Sequence, residues 1–371
     1  MDFNLNEEQE MLRKLARDFL SANCPPSLVR KIARGEAELD PQLWRNMAQM
    51  GWMGITVPEK YGGMGGSFLS LIVLLEETGY ACLPSLFFSG LIGGLALNEM
   101  GNDGQKQDLL PKIAQGELMV VLAFTEPGVR YDAQGITTKA VLEGGNKYSI
   151  DGVKLFISDA QHADYLVCPA SSGKGITVFL LETRNPAIRC ALLNTYAGDR
   201  QYEVILNKVS SSKENILGRV EQGWDLLQSV MRKATIAKCA EMVGGAQKAL
   251  DMTLDYARER KQFGRPIGTL QAIQHYCANM AIDVDAARFL TRETAWNLNV
   301  GQPCVKEAAV AKAFVSDAYT RVCKMAHQIH GAIGTTEDHD LPLYSKSAIA
   351  SRIIFGDPSY HREVVAQEIG L

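Results

Sequence analysis

Apolar residues near the start of the chain recur at helical spacing: Leu12, Leu15, Ala16 and Phe19 form one stripe, which predicts an amphipathic helix. A second apolar run, residues 43–50, stops at Gly51, a natural helix terminator. Pro58-Glu-Lys-Tyr-Gly-Gly-Met-Gly-Gly66 follows, and four glycines with a proline predict a loop. Ser67 is placed to cap a long apolar helix through Glu76 and Glu77. Residues 1–117 therefore read as a helical domain.

Near residue 118 the period changes. Residues 119–124, 136–142, 147–158, 164–170, 175–182 and 202–209 are short runs rich in β-branched or aromatic residues. Gly, Asn, Pro and Ser separate them, which predicts antiparallel strands. Glu143-Gly-Gly-Asn146 and Asp151-Gly152 carry hairpin-turn chemistry. No helical stretch of about 10–15 residues lies between these runs, which argues against a doubly wound sheet. A middle antiparallel β domain over residues 118–221, a small barrel or sandwich, is expected.

From residue 222 to 371 the helical period returns. Leu227, Val230, Met231 and Ala234 follow the i, i+3, i+4, i+7 spacing of a buried stripe. Gly264-Arg-Pro-Ile-Gly268 and Gly301-Gln-Pro303 interrupt it, with a long helix from Thr269 between them. The next helix runs through Ala326, His327 and Gln328 into the turn His330-Gly-Ala-Ile-Gly334. The expected fold class is α+β and multidomain, in the order helices, strands, helices, with no internal repeat.

The bulk numbers narrow the function. At 371 residues two or three packed units are expected. Hydrophobic residues at 46% and charged ones at 22% suit a soluble globular protein. A net charge of -4 with scattered Lys and Arg gives no footprint for nucleic acid. No apolar run approaches about 18 residues, so no membrane span is expected. The start, MDFNLNEEQEMLRKLARDFL, is charged and amphipathic rather than a signal peptide. The eight cysteines form no CxxC pair or cluster, so no metal set is expected. They read as buried thiols in a reducing cytosol, which implies a cytoplasmic protein.

Five strings carry the candidate chemistry: Pro58-Glu-Lys-Tyr-Gly-Gly63, Phe124-Thr-Glu-Pro-Gly128, Lys154-Leu-Phe-Ile-Ser158, Arg260-Lys-Gln-Phe-Gly264 and Gln328-Ile-His-Gly-Ala-Ile-Gly334. In this order, and across nearly the whole chain, they resemble the acyl-CoA dehydrogenases. The resemblance implies an N-terminal helical domain, a middle β domain and a C-terminal four-helix bundle. It also implies FAD held between the middle and C-terminal domains, usually with a second subunit contributing.

By that resemblance Phe124, Thr125, Phe156 and Ser158 line the isoalloxazine ring. The ring needs apolar walls, and its polar edge needs hydroxyl and backbone partners. Plain alternation along a strand is the alternative for Phe156 and Ser158. Arg260, Gln262 and Phe263 match the segment that reaches the FAD of a neighbouring subunit, where an arginine's forked donors suit a pyrophosphate. A solvated helix end is the alternative there. Gln328, Gly331 and Gly334 match a turn where backbone approaches the cofactor, which glycine permits. A simple glycine helix stop reads the same way.

The implied reaction is α,β-dehydrogenation of an acyl-CoA: a base removes the α proton while the β hydrogen leaves as hydride to the flavin. Backbone N–H donors can polarise the thioester. The family usually keeps its base, a glutamate, in the loop before the last helix. Here that stretch is Ile353-Ile-Phe-Gly-Asp-Pro-Ser-Tyr-His-Arg-Glu363, and aligning on Arg362 places Phe355 in the glutamate's slot. A one-residue shift offers Gly356, and a two-residue shift Asp357. The alternative family position, on the first long C-terminal helix, falls on Ala234, and residues 231–235 hold no carboxylate.

Two replacements are in reach. Asp357 is near in sequence, although Asp-Pro also makes a good helix N-cap. Glu241 lies seven residues after Ala234, two turns on along the same face and about 10 Å away by helical rise. A buried acid that orders its neighbours is the alternative for Glu241. After Thr-Glu-Pro-Gly the family commonly continues with small residues, whereas this chain has Val129-Arg-Tyr-Asp132. Arg130 and Tyr131 therefore suggest altered acyl-CoA contacts, Arg130 being able to pair with a CoA phosphate or an acidic acyl group.

Two functions follow from the resemblance. One is an FAD-dependent acyl-CoA dehydrogenase with a displaced base, passing electrons to an acceptor such as electron-transferring flavoprotein. The other is a non-catalytic FAD- and CoA-binding subunit of a heteromeric acyl-CoA dehydrogenase. Either implies a homo- or hetero-oligomer, a dimer or tetramer.

Overall fold

The structure is a computed structural model and describes residues 5–128 and 130–371. The first four residues of the amphipathic start, and Val129 of the Val-Arg-Tyr-Asp string, lie outside the described residues. In chain order the elements begin with α1 (Glu7–Asn23), α2 (Pro26–Ala33), α3 (Pro41–Gln49), α4 (Phe68–Tyr80), α5 (Leu86–Met100) and α6 (Asp103–Ala114). Strands β1 (Val120–Leu122), β2 (Lys139–Gly144), β3 (Lys147–Ser158), β4 (Tyr165–Ser172), β5 (Gly175–Glu182), β6 (Ile188–Leu193), β7 (Gln201–Ser212) and β8 (Ile216–Leu217) follow. Then come α7 (Gly223–Glu259), the short strands β9 (Lys261–Gln262) and β10 (Arg265–Pro266), α8 (Gln271–Asn299), α9 (Val305–His330), α10 (Leu341–Ile353) and α11 (Pro358–Glu368). The order is thus a helical N-terminal domain, a β middle domain and a helical C-terminal domain.

By packing, the chain forms two compact units. One gathers the residues up to Glu36, Phe68–Leu83 and Arg232–Leu371; the other holds Ala37–Ser67 and Pro84–Met231.

In the first unit α1 opens with a capping box, in which Gln9 N donates to Asn6 Oδ1 (2.8 Å) and Asn6 N to Gln9 Oε1 (3.2 Å). Its buried stripe is narrower than the sequence predicts, because Leu15 is exposed and Ala16 and Leu20 carry the contact. The α4 helix is apolar almost all round because it is buried almost all round. It lies against α7 at backbone contact: a methyl on Gly79 would overlap the Glu241 carbonyl, and one on Gly244 the Glu76 carbonyl. Gly244→Ala should therefore cost about 1–3 kcal/mol by overpacking, measured by chemical denaturation. Unchanged stability would show that the two helices part freely. The Glu76 carboxylate accepts from Arg288 (3.4 Å) and Arg292 (3.3 Å) of α8, and α9 packs on α8, α10 and α11.

In the second unit the strands form one sheet in the order β6-β7-β3-β2-β4-β5-β8, with β1 beside β4. Pairing is antiparallel except where β4 runs parallel to β1 and meets β2 at Lys139↔Ser171. The expected hairpin at Glu143–Asn146 joins β2 to β3. The second expected turn, Asp151-Gly152, is not one: β3 runs straight through it, with a register shift against β7 between Ile150 and Gly152. The glycine serves a close approach instead, since a methyl there would sit 2.5 Å from Thr138 Oγ1. Phe87 and Phe88 of α5 are core residues, Phe87 meeting Trp52 edge-on at 6.1 Å.

Candidate active site

Thr125-Glu-Pro-Gly128 follows β1 and turns at Pro127-Gly128, and Leu155 N donates to Thr125 O (2.8 Å), fastening it to β3. Past that bond the β3–β7 register shifts again, between Lys154 and Ile157. Phe156, inside the shift, adopts φ +57° and is 49% exposed. A left-handed phenylalanine is uncommon and marks a constrained site. Ser158 regains the ladder opposite Gln201. Among the described residues neither the Thr125 nor the Ser158 hydroxyl has a protein hydrogen-bond partner. Phe124 is placed differently: it is buried with Ile136, Ile176 and Leu227, and Tyr131 stacks on it at 5.9 Å and 19°. Arg130 is exposed and folds back to bond Asp132 and Gln134.

The sequence reading missed what anchors these segments. Glu126 and Lys154 form an ion pair (Nζ–Oε1 2.6 Å) with side chains 1% and 0% exposed. Lys154 Nζ also donates to Pro169 O (2.6 Å), and Glu126 Oε2 accepts from Thr137 N, Thr137 Oγ1 and Thr138 N (2.7, 2.6 and 2.9 Å). Burial alone would raise the carboxyl's pKa, but Lys154 and the threonines hold it below the ordinary value. An acid and a base 28 residues apart were the available signal.

In the other unit, Phe263-Gly264 form the turn of the β9–β10 hairpin, and Arg260 stands just before β9, with Ile267 N bonded to Arg260 O (2.8 Å). Phe263 at its tip has φ +54° and is 89% exposed, while Arg260 and Gln262 are also exposed. Gln328 is exposed near the end of α9, and Gly331 (φ +66°) stops that helix. Tyr256 stacks on His330 at 4.4 Å, so the 260 and 328–331 segments emerge from neighbouring helix ends.

The loop between α10 and α11 carries Phe355 at φ +60° and Gly356 at φ +100°. His361 Nε2 donates to Phe355 O (2.9 Å), and burial pushes that imidazole down to about 4, so it stays neutral. The Asp357 carboxylate accepts from Tyr360 N (2.8 Å) as the N-cap of α11. Glu241 is largely buried and paired with Lys238 one turn earlier on α7. Ala234 is fully buried.

Comparison with known proteins decides the family. The acyl-CoA dehydrogenase N-terminal, middle and C-terminal domain families match residues 6–117, 121–209 and 221–370. The chain belongs to the acyl-CoA dehydrogenase family. A probable acyl-CoA dehydrogenase of Bacillus subtilis (strain 168), YngJ, is 34% identical over all of both chains. The NADH acryloyl-CoA reductase of Anaerotignum propionicum is 33% identical over 100% of this chain and 96% of its own. The solved butyryl-CoA dehydrogenase of Megasphaera elsdenii superposes with a TM-score of 0.93 at 27% identity, covering 100% of each chain.

As an acyl-CoA dehydrogenase the chain is an oxidoreductase acting on CH–CH bonds, and FAD is its cofactor. The residues present fit that group: Thr125 and Ser158 bring two hydroxyls without a protein partner, and Phe156 an exposed ring, to segments joined by the Leu155–Thr125 backbone bond. Among the described residues no helix is long and apolar enough to cross a membrane.

Proposed function

We propose that this chain dehydrogenates an acyl-CoA at its α,β bond with Asp357 as proton acceptor, Glu241 being the second candidate. The observation that carries the reading is the intact Thr125–Phe156–Ser158 edge, present although position 355 holds no carboxylate. When bound there, FAD supplies the acceptor for the β hydrogen. Thr125 and Ser158 offer hydroxyls to a polar ring edge, and Phe156 offers an apolar wall. The Tyr360 N–H occupies only Oδ1 of Asp357, so the second oxygen can take the proton, at the cost of weakening a cap that contributes about 0.5–2 kcal/mol. Protonating Glu241 would instead weaken its ion pair with Lys238.

The exposed Phe263 tip suits insertion into a second copy or a homologous subunit, a dimer or tetramer, with Arg260, Gln262, Gln328 and Gly331 then facing a cofactor. Arg130 and Tyr131 contact the acyl-CoA. Electrons pass on to an electron-transferring flavoprotein. All eight cysteines are free thiols, which favours a reducing compartment, the cytoplasm. The second reading is a non-catalytic FAD- and CoA-binding subunit, favoured by Phe355 and Ala234 in the two base slots.

Anaerobic mixing of the purified chain with a panel of acyl-CoAs separates the two. Flavin bleaching by at least one is expected, and none would support the non-catalytic subunit. Asp357→Asn should then slow bleaching about 10²-fold, with Glu241→Gln as the parallel variant. An undiminished rate in both variants would refute both assignments.

A further inference from the structure

We propose that the buried Lys154–Glu126 pair positions the flavin-facing edge, by setting the register of the Thr125 loop against the Phe156–Ser158 end of β3. The inference rests on the FAD reading above. Position 156 cannot take its placement from the sheet ladder, because the β3–β7 register is broken between Lys154 and Ile157. What fixes the strand on the near side of the break is local. Lys154 is tied to Glu126 and to Pro169 O in β4, and the next residue, Leu155, is tied by its N–H to Thr125 O. The salt bridge and the backbone bond therefore link adjacent residues on each side: 125 and 126 with 155 and 154. Thr137 and Thr138, just before β2, clamp the other carboxylate oxygen.

Stability alone is a poor reason for such a pair. Two charges taken wholly out of water pay a desolvation penalty that a well-packed apolar pair of the same volume avoids. What the charged pair adds is direction: its five short hydrogen bonds admit one placement of the Thr125 carbonyl relative to Leu155. A lysine and a glutamate that never reach the cofactor thus decide where two hydroxyls and one aromatic ring meet it.

The test compares Lys154→Met, Glu126→Gln and the double variant, titrating each flavin-free protein with FAD and following amide exchange. Weakening of FAD binding by about tenfold is expected, the scale of one or two misplaced hydrogen bonds. The flavin's visible band should shift, and exchange should accelerate at Leu155–Ser158 ahead of β5. A lowered melting temperature with FAD affinity and spectrum unchanged would overturn the proposal in favour of a purely structural pair. Should the single variants fail to fold, the neutral double variant decides: wild-type FAD affinity in it also overturns the proposal. If the wild-type chain binds no FAD, the cofactor reading fails. Exchange at Leu155 in Lys154→Met then still reports the register, and unchanged exchange there sinks it.

Discussion

Phe355→Glu is expected to raise the rate at which acyl-CoA bleaches the flavin by roughly 10²-fold, the lower range for a positioned general base. The backbone of the loop that would present the new carboxylate is fixed at several points. Phe355 already sits at φ +60°, and Gly356 at φ +100° has no room for a methyl, which would lie 2.5 Å from Tyr360 Cδ1. His361 donates to the Phe355 carbonyl from α11, and burial keeps that imidazole neutral across the working pH range. These backbone constraints remain after the substitution, which changes what the loop carries. Anaerobic stopped-flow reads the result. An unchanged rate with intact FAD content and acyl-CoA affinity would mean that position 355 is not where this enzyme needs its base.

Asp159→Asn should stabilise the protein near neutral pH by up to about 3 kcal/mol. The carboxyl is fully buried at the end of β3, accepts from Ser89 Oγ (2.7 Å), and is pushed up to about 6 by burial from an ordinary 3.8. A folded pKa above the unfolded one means that the folded state holds the proton more tightly. Stability tied to this group is complete below about pH 4 and is lost as pH rises through 6. Asparagine keeps an acceptor for Ser89, tolerates the φ of +58° found here, and carries no charge. Urea denaturation of both proteins between pH 4.5 and 8 should show the variant's advantage growing with pH and flat above about 7. Parallel curves would mean that the buried carboxylate is neutralised by its surroundings.

Helices α1, α3, α4, α7, α8 and α9, five of the longer strands and the Glu143–Asn146 hairpin were legible because each is a local period or a local turn, whereas the short helices α2, α6 and α10 were not singled out. Strand β6 was not, since Arg189 and Ala191 dilute its pattern and Pro186 precedes it. Asp151-Gly152 misled for a physical reason: the same dipeptide suits a turn or a place where another backbone comes close, and only Thr138 across the sheet decides. The motif strings pointed to Phe156 and Ser158, but nothing local tells that Phe156 turns outward while Phe124 turns into the core. For Glu126 and Lys154 the sequence offered the two residues but not their pairing, because which buried acid meets which base is fixed by strand order. Asp357 and Glu241 could be named from spacing; that one caps a helix and the other holds Lys238 is a matter of tertiary contact.

The glycine-to-carbonyl contacts between α4 and α7 bear on how the polypeptide can be cut. Although α4 lies among the first 117 residues, its mate lies beyond residue 222, and Gly79 and Gly244 leave no space for side chains or solvent between them. A fragment ending at residue 117 would strip α4 of that surface and present an almost wholly apolar helix to water. Proteolytic dissection at the apparent boundaries in the sequence would thus yield insoluble pieces, whereas nicks in exposed loops would leave the two ends of the chain clasped together.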